Sequence, residues 1–195
     1  MQLIHLQGAQ IRPWLDALAA LRIQVFREFP YLYDGSLDYE RDYLEVYAQS
    51  DDSLCVLVLE GDRAVGMSTA LPLKDEDDAF VRPFIEQGFD VDSVCYFGES
   101  ILLPEYRGQG LGVRFFEARE AHARTLAGVS YTAFCAVERP LDHPLRPSGY
   151  QGLDRFWQHR GYTLRPEIFA RYEWQDIDAE APDHKTLRFW LKTLD

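Results

Sequence analysis

Gly108, Gly110 and Gly112 stand at every second position between the end of an apolar run and the start of a helical pattern. The stretch 99–112 reads as a strand, an exit marked by Pro104, a glycine loop and a helix opening. That layout makes an anion cradle. Without Cβ atoms in the way, several backbone N–H groups can converge on one ligand, and the helix that follows adds the positive end of its dipole at the same spot. The chemistry is phosphate binding. A mononucleotide loop would close on Gly-Lys-Ser/Thr, whereas Val113 and Arg114 follow Gly112. A dinucleotide fingerprint beginning at Gly108 needs a small residue at position 113, and no βαβ unit leads into it.

The cradle needs a strand behind it and a helix in front. Leu111, Phe115 and Ala118 recur at helical spacing, with Arg114, Glu117 and Arg124 on the wet side, so a helix is expected to about Ala127, before Gly128. Residues 94–103 read as one strand feeding the loop. Upstream, residues 2–7 suit a first strand. Pro13 then opens a helix through Trp14, Leu18, Leu21 and Val25. Ser36 or Asp38 caps a second helix to about Gln49, whose Tyr39, Tyr43 and Tyr47 form one stripe expected to pack on a sheet. Residues 54–59 and 63–73 make a hairpin across Gly61 and Asp62, followed by an acidic, aromatic insert at 74–92 with a short helix. Beyond the central helix come a strand at 131–137, a stiff loop at 138–150 with three prolines, a short helix stopped by Gly161, and strands at 168–174 and 186–191.

Composition sets the outer bounds. A chain of 195 residues that is 47% hydrophobic can bury a substantial core, and one domain over residues 1–195 is expected. No apolar run is long enough to span a bilayer, and the first residues lack a charged leader with an apolar block, so a cytoplasmic location without membrane contact is expected. Cys55, Cys95 and Cys135 are odd in number and sit in apolar runs, which suits reduced core thiols; zinc spacing is absent and no metal is expected. The net charge of −12 repels phosphate backbones, which argues against nucleic acid, and attracts cationic amines.

With Arg107, Gly110 and Gly112, the loop resembles the acyl-CoA loop of the GNAT superfamily of N-acyltransferases, patterned Arg/Gln-x-x-Gly-x-Gly/Ala. Phe156 and Trp157 ahead of Gly161 and Tyr162 resemble the family's Phe-Tyr-x-x-x-Gly-Phe ending, and the element order is similar throughout. The resemblance implies an α+β fold: a mixed, mostly antiparallel central sheet with helices on both faces and a splayed strand pair. It implies acetyl-CoA as cosubstrate. The pantetheine arm would lie along Ser100, Ile101 and Leu102, and the pyrophosphate on Arg107, Gly108, Gln109, Gly110, Leu111 and Gly112, with the Leu102 N–H polarising the thioester.

Acetyl transfer by direct attack also needs a base and an acid. Glu99, between apolar neighbours, is the candidate base, directly or through water; its alternative is a partner for a nearby cation. Trp157 occupies the position where relatives carry a tyrosine acid, and indole cannot donate a proton near neutral pH, so Tyr150 is the substitute candidate. Tyr31, Tyr33, His143 and Arg146 are the candidate acceptor contacts. The implied activity is acetylation of a primary amine on a small molecule. A protein amine and an inactive CoA-binding sensor or scaffold are the alternatives. An exposed apolar sheet edge at 187–191 would suit a homodimer.

Overall fold

A computed structural model describes residues 1–195. Strand β1 (Gln2–Leu6) is followed by a 3-10 turn and two helices, α1 (Leu15–Phe26) and α2 (Leu37–Gln49). The hairpin forms as expected from strands β2 (Leu54–Glu60) and β3 (Arg63–Pro72), and helix α3 (Asp78–Glu86) occupies the acidic insert. Next come β4 (Val94–Tyr96), β5 (Ser100–Leu102), α4 (Leu111–Ala123), β6 (Tyr131–Val137), α5 (Asp154–His159), β7 (Thr163–Trp174) and β8 (Asp183–Thr193). All eight strands join one sheet in the order β1-β2-β3-β4-β6-β8-β7, with β5 also on β3. Every pairing is antiparallel except β4 with β6.

Local chemistry explains the boundaries. The Ser36 hydroxyl accepts from the Tyr39 N–H at 3.4 Å and starts α2, and the Asp77 carboxylate accepts from the Ala79 N–H at 2.8 Å and starts α3. Residues 54–59 are buried throughout, as a strand covered on both faces must be. Helices α1 and α2 pack together and against β3, while α4 packs on β2 and β3. Helix α4 stops at Ala123, a turn earlier than its apolar pattern suggested, because residues 124–128 tighten into turns before Gly128.

Two expectations need correction. The run 94–103 is not one strand, since it breaks at 97–99. The stretch 187–191 is not an edge: β8 lies between β6 and β7, with Leu187, Phe189, Trp190 and Leu191 buried, so it offers no face for a homodimer. The tyrosine stripe divides. Tyr47 is wholly buried, whereas Tyr39 and Tyr43 line a cavity.

Candidate active site

The break in the sheet builds the site. The N–H of Phe97 reaches Ala133 O at 2.7 Å, and this is the last link between the β4 side and β6. Beyond it, Gly98 N–H turns to Thr69 O (3.2 Å) and Glu99 N–H to Thr69 Oγ1 (3.1 Å), so β5 stays with β3 while β6 continues against β8. Glycine is required at 98 for space, because an added Cβ would overlap the Tyr47 hydroxyl. The bonds from Leu103 N–H to Val65 O and from Thr69 N–H to Glu99 O direct the odd-numbered residues of this segment at β3. Pairing alternates along an antiparallel strand, so Ser100 and Leu102 present their backbone groups to the open edge, while Ile101 faces Met67. Of the three expected pantetheine contacts, Ile101 is therefore turned away.

The glycine loop is open. No backbone hydrogen bond engages the N–H groups of residues 108–112. Gly108 and Gly110 adopt φ of 74° and 79°, and a Cβ built on either meets nothing within 4 Å. Gly110 caps α4 with no side chain, leaving the first amides of the helix unpaired, which is the arrangement that receives anions. The Arg107 side chain is engaged elsewhere: Nε donates to Leu102 O at 3.0 Å, and Nη1 pairs with Glu28 at 2.9 Å.

Between the diverging strands lies a cleft of about 760 Å³ lined by Phe97 to Ser100 on one side and the unpaired side of β6 on the other. Five arginines line it, against Glu99, Glu138 and Asp154. Arg139 pairs with Asp176 and Arg188 with Glu138, whereas Arg119, Arg146 and Arg155 have no carboxylate partner. Arg119 is buried over the rings of Phe97 and Phe116 and donates to Glu99 O at 3.1 Å; burial pulls its guanidinium down to about 10.

A second cavity of about 270 Å³ adjoins the cleft, sharing Phe26, Tyr31, Gly98 and Cys135 with it. Arg22 crosses its wall, donating from Nε to Glu40 and from Nη1 to Glu99, whose other oxygen accepts from the Thr69 hydroxyl. From the cleft side, Arg139 donates to Pro30 O (2.7 Å), Tyr31 O (2.6 Å) and Asp176, and Trp174 Nε1 donates to the same Tyr31 O at 3.1 Å. Burial opposes charge on Asp176, but Arg139 and Lys185 outweigh it and hold its carboxyl below the ordinary range.

The model of the Acetyltransferase (GNAT) family matches residues 18–147, which contain the break, the loop and most of both cavity walls. The chain belongs to this family. Three solved structures share the fold of this acetyltransferase. The ribosomal-protein-alanine N-acetyltransferase from Brucella melitensis aligns with a TM-score of 0.62 at 14% identity, both chains covered in full. An N-acetyltransferase from Staphylococcus aureus Mu50 aligns at 0.62 and 10%, again over both full chains. An aminoglycoside 6'-N-acetyltransferase complexed with coenzyme A aligns at 0.59 and 13%, covering 100% of this chain and 98% of that one. Among curated proteins, none matches the sequence.

The acetyltransferase places its expected residues unevenly. Glu99 sits at the break, 3% exposed, with both carboxylate oxygens occupied by Arg22 and Thr69. Tyr150 and Arg146 line the cleft, with the guanidinium 5.1 Å from the tyrosine ring. Tyr31 lines both cavities and Tyr33 the second. Arg146 thus lines the first cavity and not the second. His143 lines neither: its ring lies 5.9 Å from Phe29, and Nδ1 accepts from Leu145 N–H at 3.2 Å.

Sequence reasoning missed Arg22, Glu40 and Arg119. The signal was there in each case, a charged residue at a helical position that otherwise carries core side chains. Arg22 follows Leu18 and Leu21, Glu40 precedes Leu44 and Tyr47 at helical spacing, and Arg119 follows Phe115 and Phe116.

Glu76 is a further buried acid, and its Oε1 has no hydrogen-bond partner. Burial, then repulsion from Glu99 and Asp77, pushes its carboxyl up to about 8 against the pull of Arg22. The folded protein therefore keeps a proton that the unfolded chain releases near 4.5. Stability from this group is complete below that value and declines as pH rises toward 8, by up to about 1.4 kcal/mol per pH unit. Urea titrations across this window are expected to show the decline, and Glu76→Gln is expected to flatten it.

Proposed function

We propose that this acetyltransferase moves an acetyl group from acetyl-CoA to the primary amine of a small molecule. One observation carries the reading: two cavities of opposite electrostatic character meet at the strand break, one bordered by three unpaired arginines, the other by aromatic rings and carboxylates. In a protein of net charge −12, a cation-lined cleft beside a ring of free amides suits a polyanionic donor. The open-edge N–H and C=O of Ser100 and the N–H of Leu102, whose O already accepts from Arg107, would bond an extended amide-bearing arm as an added strand does, and the amides of residues 108–112 would receive the pyrophosphate. Ser100, in the cleft lining, offers the free N–H nearest the break for polarising the thioester.

The attacking amine must lose a proton. Glu99 is the carboxylate at the meeting point, and since its two oxygens already accept from Arg22 and Thr69, the proton reaches it by relay rather than by direct contact. Tyr150 is the proposed donor to the departing thiolate: burial raises its phenol, against the pull of Arg146, so it keeps its proton at neutral pH. Trp157 cannot serve, being packed edge-on against Phe134 and Trp190 at 5.1 Å from each. Tyr150→Phe is expected to lower kcat about 10-fold, less than the roughly 100-fold or more usual for acid catalysis because a thiolate leaves readily unaided, with KM for acetyl-CoA little changed. A tyrosine that only packs would leave kcat intact.

Thiol release from acetyl-CoA with a panel of amines, alongside calorimetry with CoA, tests the reading. Amine-dependent release supports transfer. CoA binding without release with any amine would leave a sensor. No heat at all would leave the loop without a ligand.

A further inference from the structure

The second cavity has a composition that selects its occupant. Nine of its sixteen lining residues are aromatic, contributed by three helices, two strands and the loop after α1. Arg22 is its only cation, and that guanidinium is held over the rings of Phe26 and Tyr43 at 4.9 and 4.1 Å and shared by Glu40 and Glu99. One guanidinium between two carboxylates leaves a formal negative charge unmatched. Glu40 is fully buried, and its Oε1 has no hydrogen-bond partner. Nothing in the cavity is free to receive an anion.

Flat rings pack well against other flat rings, and their faces attract cations. The volume lies at the small end of ligand sites, which suits one ring and a short arm. Resting on the acetyltransferase reading, we infer that the acceptor is an arylalkylamine: a monocationic primary amine on a short arm from an aromatic ring, without a carboxylate. The ring fills the aromatic cavity and the nitrogen extends toward Gly98 and Cys135, where the cleft begins. A bond forms between the amine nitrogen and the thioester carbon as the carbon–sulfur bond breaks. The ammonium gives up one proton through the Glu99 network to expose its lone pair, and the nitrogen loses a second by the same route as the amide forms; the thiolate takes a proton from Tyr150, itself reprotonated from solvent, to become CoA thiol, so each turnover releases one proton in net. The amide product is uncharged, so the attraction that drew the amine in is lost on turnover. The corresponding aromatic amino acid would bring its carboxylate beside Glu40, where the one guanidinium is already shared by two carboxylates, and an aliphatic diamine would leave the rings unfilled.

The probes are 2-phenylethylamine, phenylalanine and putrescine, followed by thiol release and by calorimetry onto CoA-saturated protein. The expected kcat/KM for 2-phenylethylamine exceeds that for phenylalanine by about 100-fold and that for putrescine by about 10-fold, as expected where a rival leaves a charge unpaired or a pocket unfilled. Equal values, or preference for either rival, would overturn the assignment while leaving acetyl transfer standing. Failure of the transfer reading looks different: no thiol release with any amine. Calorimetry of 2-phenylethylamine then decides the cavity alone, and absence of binding overturns it.

Discussion

Gly110→Trp is expected to abolish CoA binding by calorimetry and to lower thiol release by at least about 100-fold, the scale set by loss of oriented donors at a charged group. The residue caps α4 at φ 79°, with open space where its side chain would be. An indole there enters the volume that the amides of residues 108–112 face, so it excludes the ligand physically. The substitution also forces a side chain into the left-handed region, at about 1–2 kcal/mol. Gly128→Trp separates the two effects. Gly128 has φ 80° and equally open surroundings, but it lies beyond the far end of α4. It is expected to lose similar stability and to bind CoA as the wild type does. Equal binding by both variants would show that the loop is not the cradle.

The second large effect concerns folding. Arg22→Met is expected to destabilise the protein by about 3–5 kcal/mol in urea denaturation, because it strands two buried carboxylates that now share one guanidinium. Methionine keeps most of the apolar stem against Phe26 and Tyr43, so the loss reports the charge rather than a cavity. Adding Glu40→Gln and Glu99→Gln to Arg22→Met is expected to recover much of the stability, since amides bury at far lower cost than carboxylates. A loss below about 1 kcal/mol for the single variant would mean that the network is solvated.

What could be read in advance divides by range of interaction. The glycine loop, the hairpin and the helix after the loop rest on neighbours in the chain, and their residue patterns stated them directly. The break at 97–99 did not announce itself, because the halves on either side are both apolar and a buried strand has no alternation to interrupt; Gly98 was the only mark. The pairing of Arg22 with Glu40 and Glu99 spans 18 and 77 positions, and no local pattern encodes a partner so distant. For the same reason the positions of Arg146, which lines the cleft, and of His143, which joins neither cavity, could not be read in advance: both sit in an irregular loop whose course depends on what it packs against.

The fastening at Arg139 bears on how the enzyme would choose among acceptors. One side chain ties the loop after α1, the end of β6 and the turn between β7 and β8, and Arg139 and Trp174 both donate to the Tyr31 carbonyl oxygen in the cavity wall. Three regions that could each have swung as a separate lid are riveted into one frame. On the proposed reading, selection at this doorway would be made by an aperture whose outline exists before any guest arrives.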